Sequence, residues 1–199
     1  MLGVCITLLC GKLENSYRIE LRIKLNNYGV ELRAVEMCDL PLLRRWRNRD
    51  DIRLQMMQTD YISPNQQRNW FESIQYRNDQ QHWVLWCKGQ RAGYVNLKGN
   101  ISGELFGQDI ADAGIYLGPS PVRHPMLAVA AALSQLDFGF ETLQIKAIRT
   151  LVKTDNHSAL RLNQQLGYQV LLNKQDFIAL ELLPSDYFIA REKLRRFFR

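Results

Sequence analysis

The stretch Arg123-His124-Pro125-Met126-Leu127-Ala128 combines a fixed positive charge with a strand-to-helix turn, which is chemistry suited to a phosphate. Before it, the apolar-rich run 110–117 ends in Gly118-Pro119-Ser120-Pro121, which cannot continue a strand. After it, Met126, Val129, Ala130, Leu133 and Phe140 recur at helical spacing. Free backbone N–H groups and the positive end of the helix dipole therefore meet at residues 123–128. Pro125 suits the first helical position, and Arg123 supplies a guanidinium. His124 either touches the anion or is an exposed loop residue.

The elements around this turn follow from periodicity. Residues 145–152 are rich in β-branched side chains and read as a strand. Two strands joined by a long helix are parallel, with a right-handed crossover. Asp155 or Asn156 caps the next helix, which carries Ala159, Leu160, Leu162 and Leu166 and ends at Gly167. Residues 168–172 and 177–182 close the sheet as an antiparallel pair.

Upstream, Tyr17, Ile19, Leu21, Ile23 and Leu25 alternate with Arg18, Glu20, Arg22 and Lys24, a half-buried strand pattern. Asn26-Asn27 is the expected turn into a strand with Val30, Leu32 and Ala34. Residues 1–29 form an extension carrying an extra strand or hairpin, whose first ten residues could be tag-like or disordered. Asp39 caps a helix with Leu40, Leu43 and Trp46 on one face, closed by Arg47-Asn48. A looser helical stretch holds Arg53, Met56 and Met57. Ser63-Pro64-Asn65-Gln66 starts another helix, with Trp70, Phe71 and Ile74 inward. His82, Trp83, Leu85 and Cys87 lie on a strand that turns at Gly89-Gln90 into residues 92–97. After Pro184, Tyr187, Ala190, Leu194 and Phe197 mark a basic amphipathic helix to residue 199.

Composition narrows the function classes. The chain has 199 residues, 46% hydrophobic and 23% charged, with net charge +6, which fits one globular domain with terminal additions. The positive charge suits an anionic ligand without requiring nucleic acid, because only the C-terminus concentrates it. That terminal helix is a solvated, half-packed element or a site for membrane-surface contact or homodimerisation. The four cysteines, Cys5, Cys10, Cys38 and Cys87, form no close metal-type pair and no disulfide framework. Free, mostly buried thiols and a cytoplasmic location are the simple expectation, and no metal is expected. Residues 1–11 are apolar but lack a positive leading segment, and they are too short to span a bilayer.

Three features together resemble the GNAT N-acetyltransferase superfamily from about residue 30 to 183. They are Trp46-Arg47-Asn48, then Ala111-Asp112-Ala113-Gly114-Ile115-Tyr116 with its following turn, then Asn156-x-Ser158-Ala159 running into Leu166-Gly167-Tyr168. Trp-Arg-Asn and the Met56…Ile62…Trp70-Phe71 stretch resemble most the branch that acetylates the 4-amino group of a UDP-linked amino sugar. The branch acting on ribosomal-protein N-termini comes next. The fold this resemblance implies is a mixed α/β, mostly antiparallel twisted sheet, with helices on both faces and a splayed parallel strand pair at the cofactor site. It also implies acetyl-CoA as co-substrate, with the backbone of Ile115, Tyr116 and Leu117 along the pantetheine and the Arg123–Ala128 turn on the pyrophosphate. Asn156 and Ser158 would meet the CoA arm. The acceptor is a small-molecule amine, UDP-linked in the first branch. A non-catalytic CoA-binding or interaction module is the competing class.

Two positions depart from the family pattern. Met126 stands where a glycine usually lets the backbone approach, and Asn163 stands where many relatives carry a tyrosine that protonates the thiolate. Direct transfer needs a neutral amine. A lysine amine (pKa about 10.4) costs about 4–5 kcal/mol to deprotonate at pH 7, an α-amino group about 1, so a weakly basic amine is the easier acceptor. Asp112 is the candidate base, or else a strand-edge carboxylate in an ion pair. His82 is a second base candidate or a satisfied strand histidine. Trp46, Trp70 and Trp83 could stack on a ring or fill the core, and Arg47 and Arg53 could meet a diphosphate.

Overall fold

The computed structural model describes residues 3–13 and 16–198. Among these, nine strands form one sheet in the order β1-β2-β3-β4-β5-β6-β7-β9-β8. The strands β1 (Gly3–Leu13), β2 (Ser16–Asn27) and β3 (Val30–Ala34) form an antiparallel meander. Gly3–Leu13 is thus a strand, paired along its length with β2. β4 (Gln80–Cys87) and β5 (Gln90–Gly99) form the central hairpin, and β5 pairs with β6 (Ile110–Leu117). β6 and β7 (Ala147–Lys153) are the parallel pair, and β7 continues to β9 (Phe177–Leu182) and then β8 (Gln169–Asn173).

Both hairpin turns sit one or two residues from their expected places. Tyr28 (φ 55°) and Gly29 (φ 73°) make the first, Lys88 (φ 47°) and Gly89 (φ 73°) the second. A two-residue turn matched to strand twist needs positive φ at both positions. Glycine in second place satisfies that in each case.

Helices cover both faces. On one side lie α1 (Leu40–Arg47), the single turn α2 (Asp50–Arg53) and α3 (Pro64–Ile74), with Leu43, Trp46, Ile52 and Phe71 buried against Val84 and Tyr94. Asp39 does not cap α1 through its side chain. Its carboxylate instead accepts from the Glu36 backbone N–H at 3.0 Å and from Arg91 Nε at 2.7 Å. At α3 the Ser63–Gln66 reciprocal cap forms as the spacing requires.

On the other face α4 (Leu127–Asp137) is buried on nearly every side, as an almost wholly apolar helix must be. A π-turn, Phe138–Thr142, follows it and leads into β7. α5 (His157–Leu166) is capped by Asn156 Oδ1 accepting from Ala159 N–H, and Gly167 ends it at φ 96°.

α6 (Pro184–Leu194) packs Tyr187 fully into the core. The expected stripe then breaks: Phe197 is 70% exposed, and Phe198 packs on the core instead, edge-on to Tyr28 at 5.5 Å. The chain tightens to a 3-10 turn at Arg195, and three residues per turn bring Phe198 to the inner side. Of the described thiols Cys5 and Cys38 are exposed and only Cys87 is buried, which corrects the expectation of mostly buried cysteines. No helix among the described residues is long and apolar enough to cross a membrane.

Candidate active site

β6 and β7 pair only at Ile110↔Ala147, Ala111↔Ile148 and Asp112↔Arg149. Beyond Asp112 they diverge, so half the backbone polar groups of Ala113–Tyr116 face the gap without a strand partner. A cavity of about 760 Å³ opens there. Its walls come from β5 (Tyr94, Asn96, Lys98), β6 (Asp112–Tyr116), β7 (Thr150–Val152), α3, α4, α5 and the segment 55–62.

The wedge is open to an extended ligand. α4 begins at Leu127, and Ala128 and Val129 look back to positions outside the helix, so their N–H groups lack helical acceptors. Met126 caps the helix at φ −86°, ψ −1°, a conformation any side chain adopts. Its side chain packs on the core and does not line the cavity, so the missing glycine leaves the wedge open. Pro125 lies in the turn rather than at the first helical position, because Leu127 N–H already closes onto His124 C=O at 3.0 Å. Arg123 and His124 are exposed beside it.

Of the residues singled out by sequence, the cavity wall includes Arg47, Met56, Trp70, Asp112, Ile115, Tyr116, Asn156 and Asn163. Trp46 is elsewhere: it is buried, and a Cβ on Gly118 would fall 2.4 Å from its Cδ2, so it packs against the end of β6. Trp83 is also core, its indole N–H donating to Ile23 C=O at 2.9 Å. Asn48 is consumed by Ile62, accepting its N–H and donating to its C=O, both at 2.8 Å. Arg53 is spent on Thr59 C=O and Asp50, both at 2.6 Å, and does not reach the cavity. His82 lies behind the wall, and burial drives its pKa down to about 3. A base held neutral and sealed between Tyr94 and Gln80 is a packing element. Leu117, Ser158 and the turn 123–128 stand outside the cavity, and Ser158 Oγ donates to Asn156 Oδ1 at 3.0 Å.

The segment 54–62 is fastened over the mouth by side chains donating to its carbonyls. Arg47 Nη2 meets Gln58 C=O at 2.5 Å, and Lys153 Nζ, from the far side of the gap, meets Leu54 C=O at 2.8 Å. Arg47 Nη1 is buried without a partner, and loss of hydration lowers the guanidinium pKa. Asp112, at the point of divergence, has its pKa raised by desolvation, against the pull of Lys98 and Arg149. Burial also raises the phenols of Tyr94, Tyr116 and Tyr168, all on the cavity wall. Tyr94 and Tyr116 stack at 5.2 Å.

The sequence reading missed Tyr94, Asn96, Lys98 and Tyr168. The first three alternate along β5, so a period-two count from Tyr94 would have put them on one face. Asn96 also explains Gly114, whose Cβ would lie 2.7 Å from Asn96 Nδ2. No group of three or more His, Cys, Asp or Glu able to hold a metal ion occurs among the described residues.

A family model described as an acetyltransferase (GNAT) domain matches residues 30–169. The acetyltransferase PseH of Campylobacter jejuni subsp. jejuni serotype O:23/36 (strain 81-176) is 26% identical over 166 residues, covering 82% of this chain and 96% of that protein. Among solved structures, PseH of C. jejuni with acetyl coenzyme A has a TM-score of 0.60 at 18% identity, over 78% of this chain and 99% of that one. FdhC, described as a nucleotide-linked sugar GNAT, has a TM-score of 0.72 at 18% identity, over 88% and 98%. The spermidine N-acetyltransferase of Vibrio cholerae, with CoA and spermine, has a TM-score of 0.70 at 20% identity, over 81% and 99%.

Proposed function

The chain belongs to the acetyltransferase (GNAT) family and is an acetyl-CoA-dependent N-acetyltransferase, and from that premise we propose that its acceptor is the amino group of a nucleotide-linked sugar. The observation that carries this reading is Arg47. Arg47 lines the cavity, and its Nη1 lies buried behind that wall without a partner. A buried guanidinium N–H without an acceptor is costly, and a diphosphate oxygen in the cavity would satisfy it once Arg47 turned Nη1 out of the wall. Trp70 beside it offers a face for a ring. The similarity to PseH and FdhC supports the same acceptor class.

Acetyl-CoA supplies an activated acetyl group when bound. The unpaired edge of Ala113–Tyr116 would hold the carrier as an added strand, and the N–H groups at the start of α4 would take its pyrophosphate. Segment 54–62, fastened by Arg47, Asn48, Arg53 and Lys153, keeps water from the wedge. Asp112 receives the amine's proton, its raised pKa making it a better base than an exposed aspartate. A weakly basic sugar amine suits so mild a base.

The test is thiol release from acetyl-CoA with three acceptors: a UDP-4-amino-sugar, a peptide with a free N-terminus, and spermidine. The expected kcat/KM for the sugar nucleotide exceeds both others by about 100-fold, with Arg47→Lys removing most of that margin, since a lysine point charge does not replace a guanidinium fork. Equal or greater turnover of peptide or spermidine would overturn the sugar assignment.

A further inference from the structure

Replacing the bond between acetyl carbon and sulfur by one to nitrogen leaves a thiolate that needs a proton and an amine that must lose one. Asn163 donates its amide N–H to Ala159 C=O at 3.0 Å, and an amide has no proton to transfer at neutral pH. Three phenols on the cavity wall, Tyr61, Tyr116 and Tyr168, have hydroxyls with no hydrogen-bond partner among the described residues, and Tyr61, 67% exposed on the 54–62 segment, lies too far out to meet the reacting atoms. Neither the Tyr116 nor the Tyr168 hydroxyl is among the buried polar atoms left without a partner, so both keep some exposure, and both residues line the cavity. They stand at different depths. Tyr116 lies near the outer end of β6, stacked on Tyr94. Tyr168 follows Gly167 at the C-terminal end of α5 and shares the cavity wall with Asp112, the last paired residue of β6, whose charge acts on its phenol.

Depth decides between them. A carrier gripped at residues 123–128 and laid along β6 runs inward from Leu117 to Asp112, about 17 Å at about 3.3 Å per residue. Its reactive end reaches the Asp112–Tyr168 corner, whereas Tyr116 meets its middle. Resting on the acetyltransferase reading above, we propose that Tyr168 is the proton donor to the departing sulfur and that Asp112 is its paired acceptor from the amine. The step balances. Nitrogen bonds to the acetyl carbon as the carbon–sulfur bond breaks, Asp112 takes one proton from nitrogen, and Tyr168 Oη gives one to sulfur. Asp112 then returns its proton to the phenolate, and no net proton is gained or lost.

The order of events follows from charge. Burial, and after it the Asp112 carboxylate, holds the Tyr168 phenol above its usual pKa, which makes it a reluctant donor at rest. Once Asp112 is neutralised by the amine's proton, that repulsion vanishes and the phenol becomes more acidic. Donation to sulfur is therefore favoured only after the amine has been deprotonated.

The experiment pairs kinetics with a readout independent of turnover. Tyr168→Phe is expected to lower kcat about 100-fold while leaving the acetyl-CoA KM, the calorimetric Kd for CoA and the melting temperature close to wild type. In protein labelled with 13C at tyrosine Cζ, the Tyr168 resonance is the one that Tyr168→Phe removes. Asp112→Asn is expected to shift that resonance in the free protein. A kcat within about threefold of wild type in folded Tyr168→Phe overturns the donor role. A Tyr168 resonance unmoved by Asp112→Asn overturns the pairing. If the wild-type protein releases no thiol with any amine, the acetyl-transfer reading itself fails and the donor role with it, and that outcome is distinct from normal turnover by Tyr168→Phe.

Discussion

His82 meets the Tyr94 hydroxyl through Nδ1 at 2.5 Å and Gln80 Oε1 through Nε2 at 2.9 Å, inside a shell that leaves it 6% exposed. Its pKa falls from 6.5 to about 3 on folding, chiefly through desolvation. Because the folded value is the lower one, the unfolded chain binds the proton first. His82 therefore contributes stability above pH 6.5 that is lost as pH falls from about 6.5 towards 3. Between pH 7 and pH 5 the loss is about 2 kcal/mol, read from urea midpoints, and His82→Gln should flatten that slope. Met126 gives a second residue-scale expectation. Since its backbone is α-region, Met126→Gly gains no conformational relief and costs packing and chain entropy. Stability should fall by about 1 kcal/mol while the calorimetric Kd for CoA changes by less than about threefold.

At the scale of elements, the 54–62 segment owes its path to side chains of its neighbours. Asn48→Ala removes both bonds to Ile62 and leaves buried backbone groups unpaired, a loss of about 2 kcal/mol. The acceptor KM should rise more than the acetyl-CoA KM, because this segment borders the acceptor side, and steady-state kinetics with each substrate varied would show it. The same residues mark the limit of what the sequence made legible. The strand–turn–helix unit, the Ser63 cap, the Asn156 cap and the Gly167 stop were readable because each depends on a few neighbours in the chain. Asn48 and Arg53 look identical in sequence to ligand-binding residues, and only the return of Thr59 and Ile62 to them shows that the Asn48 amide and the Arg53 Nη1 are taken. Trp46 is assigned to the core by Gly118, which is 72 positions away. The parallel order of β6 and β7 was readable from the helix between them, and their splay came from the family resemblance, but the third wall of the gap, Tyr94, Asn96 and Lys98, depends on a hairpin register set by the Lys88-Gly89 turn.

For the whole molecule, one buried carboxylate joins pieces from across the chain. Asp137, 2% exposed at the end of α4, accepts from Tyr28 Oη and Tyr187 Oη, each at 2.5 Å, and pairs with Arg191 at 3.0 Å. Arg191 also meets Glu141 at 2.5 Å, on the π-turn. Tyr28 belongs to the β2–β3 turn and Arg191 to α6, so this knot fastens the meander and the last helix to the core. Its phenol partners are held strongly protonated, Tyr28 up to about 12 by burial and by the carboxylate. Arg191→Leu leaves the buried Asp137 short of its counter-ion, and should cost about 3–5 kcal/mol in chemical denaturation. Asp137→Asn with Arg191→Leu together should cost less than the sum of the two single changes, because the second removes the orphan created by the first.

The knot also sets a timetable for synthesis. Asp137 and its surrounding helix leave the ribosome roughly fifty residues before Arg191 does. During that interval the Asp137 carboxylate waits for its guanidinium, so the knot that joins the first meander, the central helix and the last helix closes only when residues 184–194 arrive.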